Sequence, residues 1–415
     1  MKLKIIIAVT ILIILSSSLA FGQTTAGDWN DKGAESDTVN ANNQFAFELY
    51  DQYKNANDNV FFSPYSILSA FEMAYEGARG KTASEIQSVF HFPPEADVRN
   101  PSFAELYRQI NPQNASYQLS AANALWVQIS YPLNASYLDA IESNYGGKAR
   151  NLDFVKDAEG SRRTINSWVS SKTNNKIPEL LAKGAISSLT SLVLTNAVYF
   201  KGKWSEPFRE QLTQEKIFAN ADGTKIRCLM MNKQDHFRYN ETNDYQAIAL
   251  PYENDDLSMI IILPKNGKMA AFEKTLECTK FKNLSNSLDW EEVVISLPKF
   301  KFDTNYKMND NLSMMGMPTT FSPDDADFTG MYEKAKAGGK NLYMGLVIHK
   351  AYVDVDEEGT EAAAATGTSM VTASAIAMEE RQPKIFNADH PFIFGIVHEN
   401  TGTILFLGKV NDPTK

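Results

Sequence analysis

The stretch HKAYVDVDEEGTEAAAAT, residues 349–366, changes character at Gly359. Before this glycine, apolar and polar residues alternate with a period of two, which is typical of a β-strand. After it come four consecutive alanines, and no Trp, Tyr or Phe occurs before Gln382. A flexible linker or a helix fits this composition, since alanine favours helices. A second strand pattern follows, so the small-residue segment connects two predicted strands.

The overall composition predicts a globular protein that does not bind nucleic acid. The chain has 415 residues, of which 43% are hydrophobic and 11% aromatic, and this is enough for a large core. Its formal net charge of −10 would repel nucleic-acid phosphates.

The first 22 residues have the pattern of a secretion signal. Lys2 and Lys4 precede an apolar run at 5–15, and small residues follow, with a cleavage site expected near Ala20 or Gly22. The run is short for a membrane span, so a retained anchor is the weaker alternative. We expect residues 23–40 to be a disordered lead, and we expect no membrane segment in the mature chain.

Cysteines and glycosylation sequons add little about mechanism. Cys228 and Cys278 could form one bridge, but two free thiols are the favoured interpretation. No Cys/His cluster indicates zinc or another metal. Five Asn-x-Ser/Thr sequons are candidate glycosylation sites if the chain is exported: Asn114, Asn134, Asn240, Asn283 and Asn311.

The order of the predicted elements indicates an α+β fold. Helical patterns dominate the first part of the mature chain and strand patterns dominate after Trp204, without βαβ alternation. The run at 190–204 is apolar on both faces for much of its length, which predicts a central strand covered on both sides. No linker composition divides the chain, so we expect one domain over residues 41–415.

The sequence contains no signature of an enzyme. The GxSxG, HExxH, GxxxxGK[ST] and GxGxxG motifs are all absent. Ser63 and His349 could meet as a hydrolase pair, but a structural hydrogen bond is the better interpretation. We therefore expect no catalytic residues and no cofactor.

Eight local motifs, in order, resemble those of the serpins, the serine-protease-inhibitor superfamily. They are NVFFSP (59–64), LTNAVYFKGKWSEPF (194–208), LPYENDDLSMIIILP (250–264), SLPKFKFDTNY (296–306), MGMPTTFSPDDADFTGM (315–331), HKAYVDVDEEGTEAAAAT (349–366), FNADHPFIFGIVHE (386–399) and GTILFLGKVNDP (402–413). The resemblance implies three β-sheets, about nine helices and an exposed reactive-centre loop at about 359–382.

In inhibitory serpins the cleaved loop inserts into a sheet, and the resemblance assigns a hinge to this chain. The hinge residues are Gly359, Thr360, Glu361, Ala362, Ala363, Ala364 and Ala365. Small side chains can pass into a packed sheet, where bulky ones would overpack it. With alternating sides, Thr360 would face inward and Glu361 outward. Gly367 departs from a good strand sequence and could slow late insertion.

The position of the bait bond also follows from the resemblance. Counting 14 residues from the hinge glycine places it between Ala373 and Ser374, although a bond near Ile376 or Met378 remains open. A small alanine suggests an elastase-like or subtilisin-like target. No Lys or Arg occurs between Gly359 and Glu380, which argues against a trypsin-like one.

Two further groups match family positions that control insertion. The first, the shutter, comprises Ser63, Ser66, Asn196 and His349. The second, the breach at the base of the loop, comprises Trp204, Lys299 and Glu357. The resemblance implies a monomeric suicide inhibitor that forms a covalent acyl complex with a serine protease. A non-inhibitory carrier or structural protein, and a cross-class inhibitor of cysteine proteases, are the alternatives.

Overall fold

The computed structural model of this protein describes residues 34–112, 115–360 and 382–415. Nine α-helices occur within these ranges: α1 (Ala34–Tyr53), α2 (Pro64–Gly77), α3 (Gly80–Phe90), α4 (Ala96–Ile110), α5 (Ala135–Tyr145), α6 (Ala158–Lys172), α7 (Met269–Glu273), α8 (Cys278–Asn286) and α9 (Asn309–Met315). The strands are β1 (Val60–Phe62), β2 (Tyr117–Gln128), β3 (Lys148–Leu152), β4 (Leu192–Lys203), β5 (Gln214–Ala219), β6 (Lys225–Glu241), β7 (Tyr245–Pro251), β8 (Leu257–Pro264), β9 (Asp289–Pro298), β10 (Phe300–Lys307), β11 (Met344–Val355), β12 (Gly359–Thr360), β13 (Lys384–Asn387), β14 (Phe392–His398) and β15 (Thr403–Val410).

The α+β class is confirmed, and the start of the first helix corrects one prediction. Helix α1 begins at Ala34, so the prediction of a disordered lead was wrong for residues 34–40. This part of the helix is held by tertiary contact, since Thr38 and Val39 are buried. The polar composition of the segment gave no sign of that contact. The predicted signal at 1–22 and the rest of the predicted lead at 23–33 lie outside the described residues.

The strands form two hydrogen-bonded sheets. The central sheet has the order β10-β11-β12-β4-β2-β3, and the second sheet has the order β1-β15-β14-β8-β7-β6-β9-β13, with β5 paired to β6. Strand β6 is 17 residues long and pairs with both β7 and β9. It therefore joins two of the three expected sheets into one network.

Strand β4 occupies the middle of the central sheet, as its apolar sequence predicts. Its residues from Leu192 to Phe200 are all buried. On one face, Val193 and Ala197 pack with residues of α6, including Ile165. The opposite face of β4, which carries Val198, packs against the second sheet. A change in the size of a β4 side chain therefore alters the packing of one of the two layers that cover this strand.

The core between the sheets contains a cluster of stacked phenylalanines around β1. The Phe61 ring lies 5.0 Å from the Phe406 ring and 5.6 Å from the Phe394 ring, nearly parallel to both. Phe302 approaches the same ring edge-on at 6.2 Å. Phe61 is fully buried, so this cluster connects the strand before α2 to the central sheet and to the second sheet.

We expect Phe61→Ala to lower the free energy of unfolding by about 3–5 kcal/mol, because it removes a buried ring and leaves a cavity. Phe61→Leu, which keeps most of the apolar volume, should lose clearly less. Urea denaturation of the two variants checks this, and equal losses would contradict the packing role given to the ring.

Candidate functional site

The site is the place where the chain after β11 turns back into the central sheet. Gly359 and Thr360 form the two-residue strand β12, which pairs antiparallel with Lys203 and Gly202 of β4. On its other side, Thr360 pairs with Val355 of β11. Below this point β11 and β4 pair directly with each other, in parallel. The first two residues of the predicted hinge therefore already lie between these strands.

Only glycine fits at position 359. Its φ angle is +154°, and a Cβ atom there would lie 2.2 Å from the carbonyl oxygen of Gly202. A β-carbon at Gly202 would in turn lie 2.8 Å from the Phe200 ring and 2.9 Å from the Tyr252 ring. This close backbone approach lets the loop begin between two packed strands.

Thr360 is held by an aromatic pocket at the top of the sheet. Its hydroxyl is hydrogen-bonded to the Tyr252 hydroxyl at 2.7 Å, and its side chain is 1% exposed. The Trp204 ring stacks on Tyr252 with centroids 4.7 Å apart. Trp204 Nε1 also donates to the carbonyl oxygen of Asp356 at 3.0 Å. The structure thus brings Trp204 to the hinge, as the resemblance predicts.

The predicted pair at the base of the loop is present. Lys299 Nζ lies 2.5 Å from Glu357 Oε2, and the Thr213 hydroxyl donates to Glu357 Oε1 at 2.6 Å. Burial acts to raise the pKa of Glu357, but these two bonds outweigh it, so the pKa lies below its ordinary value. Glu357 is buried and Lys299 is about one-third exposed, so the pair positions the chain just before the hinge.

The predicted shutter residues meet beneath the β4–β11 pairing. His349 and Asn196 are opposite each other in the two strands. The Ser63 backbone N–H donates to His349 Nε2 at 3.2 Å, and His349 Nδ1 bonds to Asn196 Oδ1. Asn196 Nδ2 donates to Ser66 Oγ at 2.6 Å. The network connects the start of α2 to both strands at once.

These partners fix the tautomer of His349. Because Nε2 accepts a hydrogen bond from a backbone N–H, the proton must reside on Nδ1. Burial lowers the pKa of His349 to about 3, against a weaker opposite effect of its bond to Asn196. The ring is therefore neutral at physiological pH, and it serves as a structural link.

Two residues of the site were missed from the sequence. Tyr252 falls inside a quoted motif, but nothing in its spacing marks it as the partner of Thr360. Asn123 lies opposite Asn196 in β2, and its amide donates to the Ser66 carbonyl at 3.4 Å. A lone asparagine in an otherwise small and apolar strand, SAANALW, was the available signal for a buried polar contact.

Several predicted residues cannot be placed. Glu361, Ala362, Ala363, Ala364, Ala365, Ala373, Ser374 and Asn114 lie outside the described residues.

Among the other sequons, Asn283 is exposed, whereas the Asn240 amide donates to Ser287 Oγ at 2.8 Å. Asn134 and Asn311 are half-buried. Cys228 and Cys278 are free, which confirms the favoured interpretation.

The described part of the chain shows neither a metal site nor a membrane-spanning helix. No group of three or more His, Cys, Asp or Glu side chains is arranged to hold a metal there. In the same residues, no helix has the length and apolar character to cross a bilayer.

Comparison with known proteins identifies the family. The chain matches the family profile described as "Serpin (serine protease inhibitor)" over residues 40–413, and it belongs to the serpin family. It is 43% identical over 399 residues to an uncharacterized serpin-like protein of Thermococcus kodakarensis, covering 96% of this chain and 91% of the relative. It is 37% identical over 388 residues to the leukocyte elastase inhibitor of Homo sapiens, covering 90% and 98% respectively.

Solved structures agree with this assignment and confirm the serpin fold. Human thyroxine-binding globulin superimposes with a TM-score of 0.83 at 26% identity, covering 92% of this chain and all of that one. Tengpin, a thermophilic serpin in its native state, gives a TM-score of 0.80 at 28% identity, covering 92% and 95%.

The neutral shutter histidine predicts a loss of stability in acid. The ordinary pKa of histidine is about 6.5, and that of folded His349 is about 3. As the pH falls through this window, the unfolded chain takes up a proton that the folded chain does not. Stability should therefore fall by up to about 1.4 kcal/mol per pH unit from this residue.

His349→Gln should flatten the slope of unfolding free energy against pH between pH 7 and pH 5, measured by urea denaturation. Buried His398, with a pKa of about 4, contributes a slope of the same sign, so the difference between wild type and variant isolates His349. His236→Gln, at an exposed position, is the matched control. An unchanged slope in His349→Gln would be inconsistent with a neutral His349.

Proposed function

We propose that this serpin inhibits serine proteases as a suicide substrate, by inserting its cleaved loop into the central sheet. The observation that carries the proposal is the position of β12, whose two residues already separate β11 from β4. The protease serine attacks the carbonyl carbon of Ala373, the bond to Ser374 breaks, and an acyl-enzyme forms. The segment that precedes Ala373 then extends strand β12 between β4 and β11, and it carries the attached protease with it.

The register of β12 supports insertion along the whole length of the β4–β11 pairing, from the hinge to Met344. We call this pairing the seam. Gly202 is the partner of Thr360 on β4, so antiparallel continuation brings residue 366 opposite Asn196. On β11, Val355 is the partner of Thr360, so the same continuation brings residue 366 opposite His349. Both strands thus assign Thr366 to the gap between the two shutter residues. Insertion must break the His349–Asn196 bond, and the threonine hydroxyl can take over its polar contacts.

The same register accounts for the order of residues in the hinge. Ala362 would come between Phe200 of β4 and Val353 of β11, which are both buried, so only a small side chain fits inward there. Glu361 would come between Lys201 and Asp354 on the half-exposed outer face. The outward position keeps this carboxylate hydrated, so its charge does not oppose insertion.

The acyl-enzyme resists hydrolysis because of the distance over which insertion moves the attached protease. Fourteen residues span about 46 Å as a strand, which moves the acyl group from one end of the sheet to the other. The tether pulls on the protease serine and displaces it from its oxyanion hole and general base, so hydrolysis of the acyl bond stops. The inhibitor itself supplies binding and stored free energy, and no catalytic group.

The small side chain of Ala373 favours an elastase-like or subtilisin-like target, whose shallow pocket accepts it. The name of a relative, leukocyte elastase inhibitor, is consistent with this class. A cysteine protease uses the same acyl chemistry and is the cross-class alternative.

The fold alone does not separate an inhibitor from a carrier, since thyroxine-binding globulin shares it. The glycine and threonine of the hinge favour inhibition here.

Incubation with pancreatic elastase tests the proposal. We expect a covalent complex that survives SDS, and we expect Thr360→Arg to lower its yield at least tenfold, because a large charged side chain would have to be buried beside Tyr252, where Thr360 is 1% exposed. Thr224→Arg, in an exposed turn, is the matched control and should behave as wild type. Clean cleavage of the wild type without complex would refute inhibition of this enzyme class. A full yield from Thr360→Arg would refute insertion at the hinge.

We also propose that the protein acts outside the cell, as its N-terminal pattern suggests. Mass spectrometry of the protein recovered from its source should give a mature N-terminus near residue 21 or 23. A chain that retains residues 1–22 would contradict export by signal cleavage.

A further inference from the structure

A buried arginine joins helix α4 to helix α2. Arg99 of α4 is 4% exposed, and its Nε atom lies 3.2 Å from Oε2 of Glu72 on α2, which is 1% exposed. Its Nη2 atom lies 3.7 Å from Oε2 of half-buried Glu76, and its Nη1 atom donates to the Pro93 carbonyl at 3.2 Å. The guanidinium also lies over the Tyr75 ring, 4.5 Å from the centroid. One guanidinium thus faces two carboxyl groups of the same helix.

The charges of this cluster do not balance when both carboxyl groups are ionised. Glu72 and Glu76 are four residues apart on one face of α2, where like charges repel each other, and Arg99 supplies a single positive charge. Neither Glu72 oxygen has a hydrogen-bond partner among the described residues. A buried carboxylate in such a position is costly, whereas a neutral carboxyl group is less so.

Burial therefore acts strongly on Glu72. It raises the pKa of this carboxyl group from 4.5 to about 8, and the charge of Glu76 adds to the rise, whereas Arg99 acts in the opposite direction. We therefore expect Glu72 to carry a proton at neutral pH, so that Arg99 and Glu76 form the charged pair.

The other titratable groups near the two carboxyl groups are tyrosines. Tyr75 belongs to α2, and Tyr137 and Tyr145 belong to α5. Burial raises the pKa of all three above the ordinary tyrosine value, so they stay neutral. The Tyr145 hydroxyl also donates to Glu76 Oε2 at 3.2 Å. The tyrosines therefore contribute no charge change between pH 5 and pH 8.

The first two turns of α4 depend on this cluster more than the rest of the helix does. Phe103 and Leu106 pack into the apolar cores, but the buried residues before them are Arg99 and Ser102. Pro101 has no N–H, so one backbone hydrogen bond of this part of the helix is missing. The first two turns can therefore leave α2 while the rest of α4 stays packed.

We propose that Glu72, Glu76 and Arg99 form a proton-controlled latch, which holds the first two turns of α4 on α2 while Glu72 is protonated and releases them as Glu72 ionises. In the released state water hydrates Glu72, whose pKa returns to its ordinary value of 4.5, against about 8 in the latched state. Between these two values the latched state holds a proton that the released state lacks. The ratio of released to latched molecules should therefore rise up to tenfold for each pH unit. The stabilisation is complete below pH 4.5 and is lost as the pH rises to about 8.

Hydrogen exchange of the full-length protein tests the latch. Amide protection factors are measured from pH 5 to pH 8, with the intrinsic pH dependence of exchange divided out. In wild type, protection in residues 98–103 should fall up to tenfold per pH unit, whereas protection in residues 106–110 should change little. In Glu72→Gln, which keeps the size of the side chain but cannot ionise, protection in residues 98–103 should not depend on pH. Glu105→Gln, which removes a partly exposed carboxylate paired with Arg108 on α4, is the matched control and should keep the wild-type slope.

Two results would overturn the latch. One is wild-type protection in residues 98–103 that does not change with pH. The other is Glu72→Gln with the wild-type slope, because a different group would then titrate. If Glu72→Gln does not fold, the wild-type protein alone decides. Equal slopes in residues 98–103 and 106–110 would then refute a latch confined to the first two turns of α4.

Discussion

The direct parallel pairing of β4 with β11 is the interaction on which the rest of this structure depends. Eight residue pairs connect the two strands, from Met344–Leu192 to Tyr352–Tyr199. A strand placed between them would replace this one ladder with two antiparallel ladders, and antiparallel pairing is slightly more stable per residue. Under the proposed mechanism, insertion of a strand between β4 and β11 would therefore lower the free energy of the chain.

The two functional clusters lie at different points along this seam. At the top, Gly359 and Thr360 keep β11 and β4 apart, with Tyr252 and Trp204 beneath them. In the middle, His349 and Asn196 keep the strands together through a buried hydrogen bond. Buried polar contacts of this kind are costly to leave unsatisfied, so the middle of the seam resists opening until a new polar partner arrives. The two strands are thus already separated at the hinge and are hydrogen-bonded to each other at the middle of the seam.

The sequence predicted the parts of this arrangement that depend on local pattern. The apolar run of β4, the alternation in β11 and the small residues after Gly359 each follow from the size and spacing of neighbouring side chains. The resemblance then assigned roles to the shutter and breach residues, which the structure brings together. The partners of Tyr252 and Asn123 and the start of α1 could not be predicted, because each is defined by contacts with residues distant in sequence. Strand β6 joins two sheets, and this was not predicted for a similar reason. The length of a strand does not determine which strands it pairs with.

We propose that the segment after Thr360 replaces the β4–β11 pairing when the loop is cut. A crystal structure of the loop-cleaved protein tests this most directly. We expect a new strand between β4 and β11, antiparallel to both, with Thr366 flanked by Asn196 and His349. A cleaved structure in which His349 still bonds to Asn196, and in which Met344–Tyr352 still pairs with β4, would contradict it.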